Sequence, residues 1–167
     1  MVKRILDCSA SDWQQMSKAE ILQSIAASEG RVLVSEVIGA VSPLLYNISN
    51  AELAAACGAD LLLLNMFDVE QPTFYGIPPH EPTGAIREIK RLTGRLIGVN
   101  LEAVAKTTGL PPGRRASAMN ARKALGQGAD FIVLTGNPGT AASNREIVSA
   151  LQEIKAQTGD ELIIVAG

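Results

Sequence analysis

The amino-acid sequence predicts an α/β protein built from repeated parallel βα units. Residues 50–65 return as residues 120–135, at an offset of 70 residues, and each copy reads as a helix, a glycine and an apolar strand. Residues 88–94 return in the same way as residues 153–159, and each copy again leads into an apolar strand. Helices that alternate with fully apolar strands are typical of a parallel sheet.

Five predicted helices have recognisable starts and stops. Three begin with a capping box, in which a serine and the glutamate three residues later satisfy each other's backbone amides. These boxes are Ser17 with Glu20, Ser49 with Glu52, and Ser143 with Glu146. Thr83 and Ser117 are simple N-cap candidates for the other two helices. The helices are predicted to stop at Gly30, Gly58, Gly94, Gly128 and Gly159, since glycine accepts the left-handed conformation that ends a helix.

The predicted strands follow these glycines within a few residues. They cover residues 32–38, 61–64, 96–99, 131–135 and 162–166. Unbroken apolar runs such as 61–64 suit strands that are covered on both faces. We therefore expect a single α/β domain over residues 1–167, with a helical cap at 1–30 and five βα units at 31–167.

Two architectures accommodate these units. The first is the N-terminal five strands of a (β/α)8 TIM barrel, because the chain is shorter than the roughly 250 residues of a complete barrel and stops after its fifth strand. The second is a complete, doubly wound, flavodoxin-like sheet of five strands. The two differ in strand order.

The connections are short before each strand and long after it, with long loops at residues 39–48, 65–82, 100–116 and 136–142. In βα proteins the loops after the carboxyl ends of strands build the ligand site. Polar residues gather there, and we expect Glu36, Asn65, Asn100 and Glu102 to act in catalysis. Glutamate suits acid–base chemistry and asparagine orients a carbonyl or hydroxyl group. The alternative is that these side chains only cap loops.

Three further groups complete the predicted site. Thr135, Gly136, Asn137 and Gly139 follow the fourth strand and resemble an anion cradle ahead of a capped helix, although an ordinary turn is an equal alternative. Arg114 and Arg115 are expected to clamp an anionic substrate, unless they are a solvated loop pair. Asp68 is a candidate metal ligand, which with Glu36 and Glu102 would bind Mg²⁺.

Composition argues against several classes of partner. A net charge of -2 and an aromatic content of 4% argue against nucleic-acid binding. No apolar run approaches the roughly 20 residues of a membrane helix, so we expect no membrane partner. Cys8 and Cys57 lack the spacing of a metal or redox motif, which favours a cytoplasmic protein with reduced thiols. Open edge strands would favour a homo-oligomer.

Residues 128–136 resemble the helix–Gly-Ala-Asp–strand joints of phosphate-binding TIM barrels. Together with residues 65–68 and 98–102, they are similar to an uncharacterised bacterial barrel family that is sometimes labelled phosphoenolpyruvate-phosphonomutase-like. The resemblance implies a lyase- or isomerase-like enzyme that acts on a small phosphorylated or carboxylated metabolite. The dense aspartate cluster of phosphonomutases has no counterpart here. The alternatives are a non-catalytic partial barrel and a small-molecule binding module, either of them stabilised by self-association.

Overall fold

A computed structural model of the chain describes residues 2–104, 109–136, 142–159 and 161–167. The helices are α1 (Ala10–Trp13), α2 (Lys18–Ala27), α3 (Asn50–Ala56), α4 (Ala85–Thr93), α5 (Ala118–Gln127) and α6 (Asn144–Thr158), with short 3₁₀ turns at Ile5–Asp7 and Pro112–Arg114. The strands are β1 (Val34–Ile38), β2 (Leu61–Asn65), β3 (Leu96–Glu102), β4 (Phe131–Thr135) and β5 (Ile163–Ala166).

The five strands form one sheet in the order β1-β2-β3-β4-β5, and every neighbouring pair is parallel. The predicted α/β class is therefore confirmed. A flavodoxin-like sheet has the order 2-1-3-4-5, and the observed order contains no such reversal. The predicted strands agree with the structure within a few residues, except that β3 continues to Glu102, three residues beyond its predicted end.

Helices α3 to α6 cover a single face of the sheet. Ala51, Ile86, Ala121 and Ile154 represent the four helices, and they pack in one apolar cluster with alternate residues of the central strands. The strand residues of this cluster include Leu62, Leu64, Ile97, Val99, Ile132 and Leu134, all fully buried. We call the opposite side of the sheet the inner face.

The N-terminal segment covers the inner face near the amino ends of the strands. Trp13 and Ile21 pack there in a second apolar cluster that includes Leu63 and Phe131. Successive side chains along a strand point to opposite faces. The register of the sheet then places Glu36, Asn65, Asn100, Glu102 and Thr135 on the inner face too, nearer the carboxyl ends. This alternation explains why β2 and β3 are buried on both sides.

The two Gly-Ala-Asp joints connect neighbouring strands: Asp60, ahead of β2, bonds Leu33, ahead of β1, and Asp130, ahead of β4, bonds Ile97 of β3. Leu33 N–H donates to the Asp60 carboxylate over 2.7 Å, and Asp60 N–H donates back to the Leu33 carbonyl over 2.9 Å. In the second copy Ile97 N–H donates to the Asp130 carboxylate over 2.8 Å, and Asp130 N–H donates to the Ile97 carbonyl, also over 2.8 Å. The sequence repeat is thus a repeated strand-alignment contact.

Most predicted helix caps are confirmed. In all three predicted capping boxes the glutamate carboxylate accepts from the serine backbone N–H, and Ser117 accepts from the Asn120 N–H. The prediction for Thr83 is wrong, because Gly84 is the N-cap of α4. A turn closed by the Gly84 N–H and the Glu81 carbonyl delays the start of the helix by one residue.

Candidate functional site

Four predicted site residues form a hydrogen-bonded row across the inner face, and we call Glu36, Asn65, Asn100 and Thr135 the polar row. The Thr135 hydroxyl donates to Asn100 Oδ1 over 3.1 Å. Asn100 Nδ2 donates to Asn65 Oδ1 over 3.1 Å. Asn65 Nδ2 donates to Glu36 Oε1 over 2.6 Å. The four residues come from four consecutive strands, so parallel pairing brings together side chains that lie up to 99 positions apart in the sequence.

Burial varies along the polar row. Asn100 is 7% exposed and has partners on both sides of its amide. Asn65 and Thr135 are half-buried, and Glu36 lies exposed on the edge strand β1. Burying an amide is unfavourable unless its hydrogen bonds are made. The row therefore has a fixed, desolvated centre and an accessible carboxylate at one end.

The residue after Asn65 has a strained backbone. Met66 has a φ of 56°, in the left-handed region that non-glycine residues rarely adopt. Its N–H donates to Asn65 Oδ1 over 2.7 Å. Strained residues cluster at functional sites because the surrounding structure has to hold them in place. Sequence reasoning missed Met66, since a methionine after a strand carries no signal of a positive φ.

Glu102 is paired with an arginine rather than free. Its carboxylate accepts from Arg114 Nη2 over 2.6 Å, and the two side chains are only 8% and 16% exposed. Arg114 Nε is buried, and no partner for it lies among the described residues. Glu102 is also the register partner of Thr135, so the ion pair adjoins the polar row. The pair places opposite charges beside the site, and Glu102 is less available as a base than Glu36.

Among the described residues, Arg114 and Arg115 have different partners, and their joint role as a clamp on an anionic substrate stays a prediction. Arg115 donates from Nε and Nη2 to the Leu110 carbonyl over 3.1 and 2.9 Å. Asn120, 2% exposed, donates to the carbonyls of Pro112 and Arg115 and so fixes this loop against α5. The role of Asn120 was missed, because an asparagine in a helix is an ordinary surface residue until its burial is known.

Asp68 has a structural role. Its Oδ1 accepts from Glu70 N–H over 2.8 Å and from Gln71 N–H over 3.2 Å, which closes a turn. Within residues 2–104, 109–136, 142–159 and 161–167, no three histidine, cysteine or acidic side chains come together as a metal site. The expected convergence of Glu36, Asp68 and Glu102 is therefore not seen among these residues, since Asp68 caps a turn and Glu102 is bound by Arg114. A role for Mg²⁺ stays a prediction.

The predicted anion cradle is described only at its start. Gly136 follows β4 and packs against α6, where a Cβ atom would come within 2.8 Å of Ile147 Cδ1. Asn137 and Gly139 lie outside the described residues. A role for this loop in anion binding stays a prediction.

A groove of about 350 Å³ lies along the edge strand β1, between this strand, the loop that follows it and α3. Of the polar row, Glu36 is in its lining, and Val37, Val41, Leu44 and Leu53 contribute apolar surface. Because it combines a carboxylate with apolar walls, the groove has the composition of a small-molecule site. It gives a ligand access to Glu36.

A second cavity, of about 430 Å³, lies between α2 and the amino ends of the strands. Ile21, Leu61 and Phe131 are among its mostly apolar lining residues. Its acidic residue, Asp130, is already bonded to Lys90 and to the Ile97 N–H. The cavity therefore offers volume without a free reactive group in its lining.

The chain consists of consecutive parallel βα units, with α3 to α6 on one face of the sheet. The polar row lies on the other face, toward the carboxyl ends of four strands. These features define an α/β protein with a candidate small-molecule site. The chain belongs to the family described as Domain of unknown function (DUF7916), which it matches over residues 6–167. None of the curated proteins matches the chain. In the part of the chain that the structure describes, no helix is both long and apolar enough to cross a bilayer.

Proposed function

We propose that the protein is a barrel-type enzyme, lyase- or isomerase-like, that acts on a small phosphorylated or carboxylated metabolite at the polar row. The observation that carries this proposal is the continuous hydrogen-bonded chain from Thr135 to Glu36. It runs from the middle of β1 to the last residue of β4, on the side of the carboxyl ends of the strands, where enzymes of this architecture bind their substrates. The sequential strand order and the layer that α3 to α6 form on one face support barrel-type units.

Glu36 is the proposed general base. Its carboxylate is exposed, and Asn65 holds one of its oxygens, which leaves the other for a substrate. In the proposed reaction this carboxylate removes a proton from the carbon next to a substrate carbonyl, and the electron pair of the broken C–H bond moves into an enolate. Fixed amide N–H groups of Asn65 and Asn100 stabilise the negative oxygen. Return of the proton to a different atom gives isomerisation.

No step of the proposed reaction uses a metal: of the predicted Mg²⁺ ligands, Asp68 caps a turn, Glu102 is bound by Arg114, and Glu36 is assigned as the base. The Arg114–Glu102 pair is proposed to hold a guanidinium near the substrate anion, beside Thr135. We further propose a cytoplasmic location, which the two free thiols, Cys8 and Cys57, support.

Hydrogen–deuterium exchange tests the proposal without knowledge of the product. The protein is incubated in D₂O with pyruvate, malate and dihydroxyacetone phosphate, and loss of the C–H signal next to the carbonyl or carboxyl group is followed by NMR. We expect exchange with at least one compound, and a loss of about 100-fold or more in Glu36→Gln. Glu29→Gln is the control, since Glu29 is an exposed glutamate whose partner is Arg31. Exchange that is absent throughout, or equal in Glu36→Gln, contradicts the proposed base.

A non-catalytic, self-associating module is the second candidate. β1 and β5 form the two edges of the sheet, and their inner-face residues Val34 and Val165 are 47% and 50% exposed. Edges of this kind pair readily with other chains. Light scattering should then give a mass that is a multiple of 17.6 kDa, together with no exchange activity. A monomer at all concentrations contradicts this candidate.

A further inference from the structure

The directions of the hydrogen bonds in the polar row determine which groups remain for a ligand. The Met66 backbone N–H, which can only donate, points at Asn65 Oδ1 over 2.7 Å. This contact fixes the orientation of the Asn65 amide, so that its nitrogen faces Glu36. Glu36 must then accept, as an ionised carboxylate does.

The hydrogen-bond directions at the Thr135 end of the polar row follow in the same way. Asn100 lies 3.1 Å from the fixed oxygen of Asn65, so it presents its nitrogen there and its oxygen to Thr135. The Thr135 hydroxyl must therefore donate. A hydroxyl has one proton and two lone pairs, so Thr135 retains only acceptor capacity toward a ligand.

The remaining hydrogen-bonding capacity has a definite pattern. Glu36 and Thr135 offer acceptors at the two ends of the row, while each asparagine nitrogen has a second N–H to donate in the middle. The matching ligand donates at both ends and accepts between them. A carboxylate or a phosphate dianion does not meet this requirement at the ends, because it carries no proton to give. A carbonyl group flanked by hydroxyl groups does.

We infer that the polar row binds a polyhydroxy carbonyl compound, such as the open-chain form of a small sugar, with its hydroxyls on Glu36 and Thr135 and its carbonyl oxygen on the asparagine amides. The inference rests on the proposed function for the location of the site. Any phosphate or carboxylate of the substrate then lies away from the polar row. A ligand that lacks hydroxyls displaces water from Glu36 and Thr135 without replacing its hydrogen bonds, so it should bind poorly.

Two neutral probes test this pattern at constant carbon skeleton. Erythrulose has a carbonyl flanked by hydroxyls, and 2-butanone has the same chain and carbonyl without them. Binding is measured by NMR titration of the side-chain amides of Asn65 and Asn100. We expect erythrulose to bind at least about tenfold more tightly than 2-butanone. Equal affinities, or no shift with either probe, overturn the inference.

A valine substitution tests the acceptor at Thr135. We expect Thr135→Val to weaken erythrulose binding by about tenfold and to leave 2-butanone unchanged. The control is Thr93→Val, at the end of α4 ahead of the amino end of β3, where the hydroxyl donates to the Ile89 carbonyl. Unchanged erythrulose affinity in a folded Thr135→Val overturns the inference. If the variant does not fold, the comparison of the two probes on the unaltered protein decides it.

A third probe separates this inference from the proposed function. Phosphoenolpyruvate carries a carboxylate and a phosphate but no hydroxyl. If it shifts the Asn65 and Asn100 amides and erythrulose does not, the site stands and the hydroxyl pattern is refuted. If erythrulose binds selectively while none of the C–H exchange reactions occurs, the hydroxyl pattern stands and catalysis is refuted.

Discussion

Asn100 is the residue on which the geometry of the polar row depends. It is almost fully buried, and its amide joins Asn65 on one side to Thr135 on the other. Removal of this amide would leave the Thr135 hydroxyl without its acceptor and would remove one of the two donors to Asn65 Oδ1, which keeps the Met66 N–H. A buried polar group without its partner costs more than the bond itself contributes.

We therefore expect Asn100→Ala to lower the free energy of unfolding by about 1–3 kcal/mol. Asn47→Ala is the matched control, since Asn47 is exposed on the loop after β1, and it should change stability by less than about 0.5 kcal/mol. Urea denaturation measures the free energy of unfolding of both variants. Equal stability of the two variants would show that the buried amide is not held as described.

The two cysteines should differ in reactivity. Burial raises the pKa of the Cys8 thiol, which also contacts Ser24 and the Arg4 carbonyl, whereas Cys57 is exposed. A raised pKa leaves a smaller fraction of Cys8 as reactive thiolate at pH 8. Mass spectrometry after brief treatment with iodoacetamide should find Cys57 modified first. Faster modification of Cys8 would contradict its described environment.

At the scale of the elements, the Gly-Ala-Asp joints hold neighbouring strands in register. The Asp130 joint bonds the N–H of Ile97, which is fully buried, and also binds Lys90 over 2.7 Å. The Asp60 joint bonds the N–H of Leu33, which is 54% exposed. The same motif thus serves a buried site in the middle of the sheet and an accessible site at its edge.

Asp130→Ala should therefore destabilise the protein by about 1–3 kcal/mol, because it leaves the buried Ile97 N–H unpaired. Asp60→Ala should lower the free energy of unfolding by less, since water can replace its carboxylate as the acceptor of the Leu33 N–H. Thermal and urea denaturation of the pair give the comparison. A larger loss in Asp60→Ala would be evidence against the strand-alignment role.

Gly98 permits close packing between β3 and β4. A Cβ atom at this position would come within 2.1 Å of the Phe131 ring. Gly98→Ala should cost about 1–3 kcal/mol, because overpacking displaces the ring from the inner-face cluster. Gly126→Ala is the control, since nothing lies within 4 Å of the added atom, and alanine in helix α5 should be neutral or stabilising by up to about 1 kcal/mol. Urea denaturation distinguishes the two, and a stable Gly98→Ala would refute this packing.

At the scale of the whole molecule, local patterns in the sequence were sufficient to predict the parallel sheet. Glycines at helix ends, capping boxes such as Ser143 with Glu146, and apolar runs act over a few residues, so they are readable without a structure. The same reasoning placed Glu36, Asn65, Asn100 and Thr135 at strand ends, and parallel pairing brings them together.

The errors arose where the outcome depends on contacts between distant residues. The pairing of Arg114 with Glu102 depends on how a loop folds back on β3. The turn at Asp68 lies against Gly113, where a Cβ atom would come within 1.8 Å of the carboxylate. Neither contact can be predicted from the residues that are neighbours in the sequence. Side-chain chemistry alone therefore predicts neither the arginine partner of Glu102 nor the turn that Asp68 caps.

The central claim is that the polar row is the ligand-binding site of the whole molecule. Its most direct test is an NMR map of side-chain amide shifts as the proposed sugar-like and anionic probes are added to the intact chain. The account predicts shifts at the Asn65 and Asn100 amides and none at Asn120, whose amide donates only to backbone carbonyls beneath the loop. Shifts confined to other residues, with Asn65 and Asn100 unchanged, would contradict it.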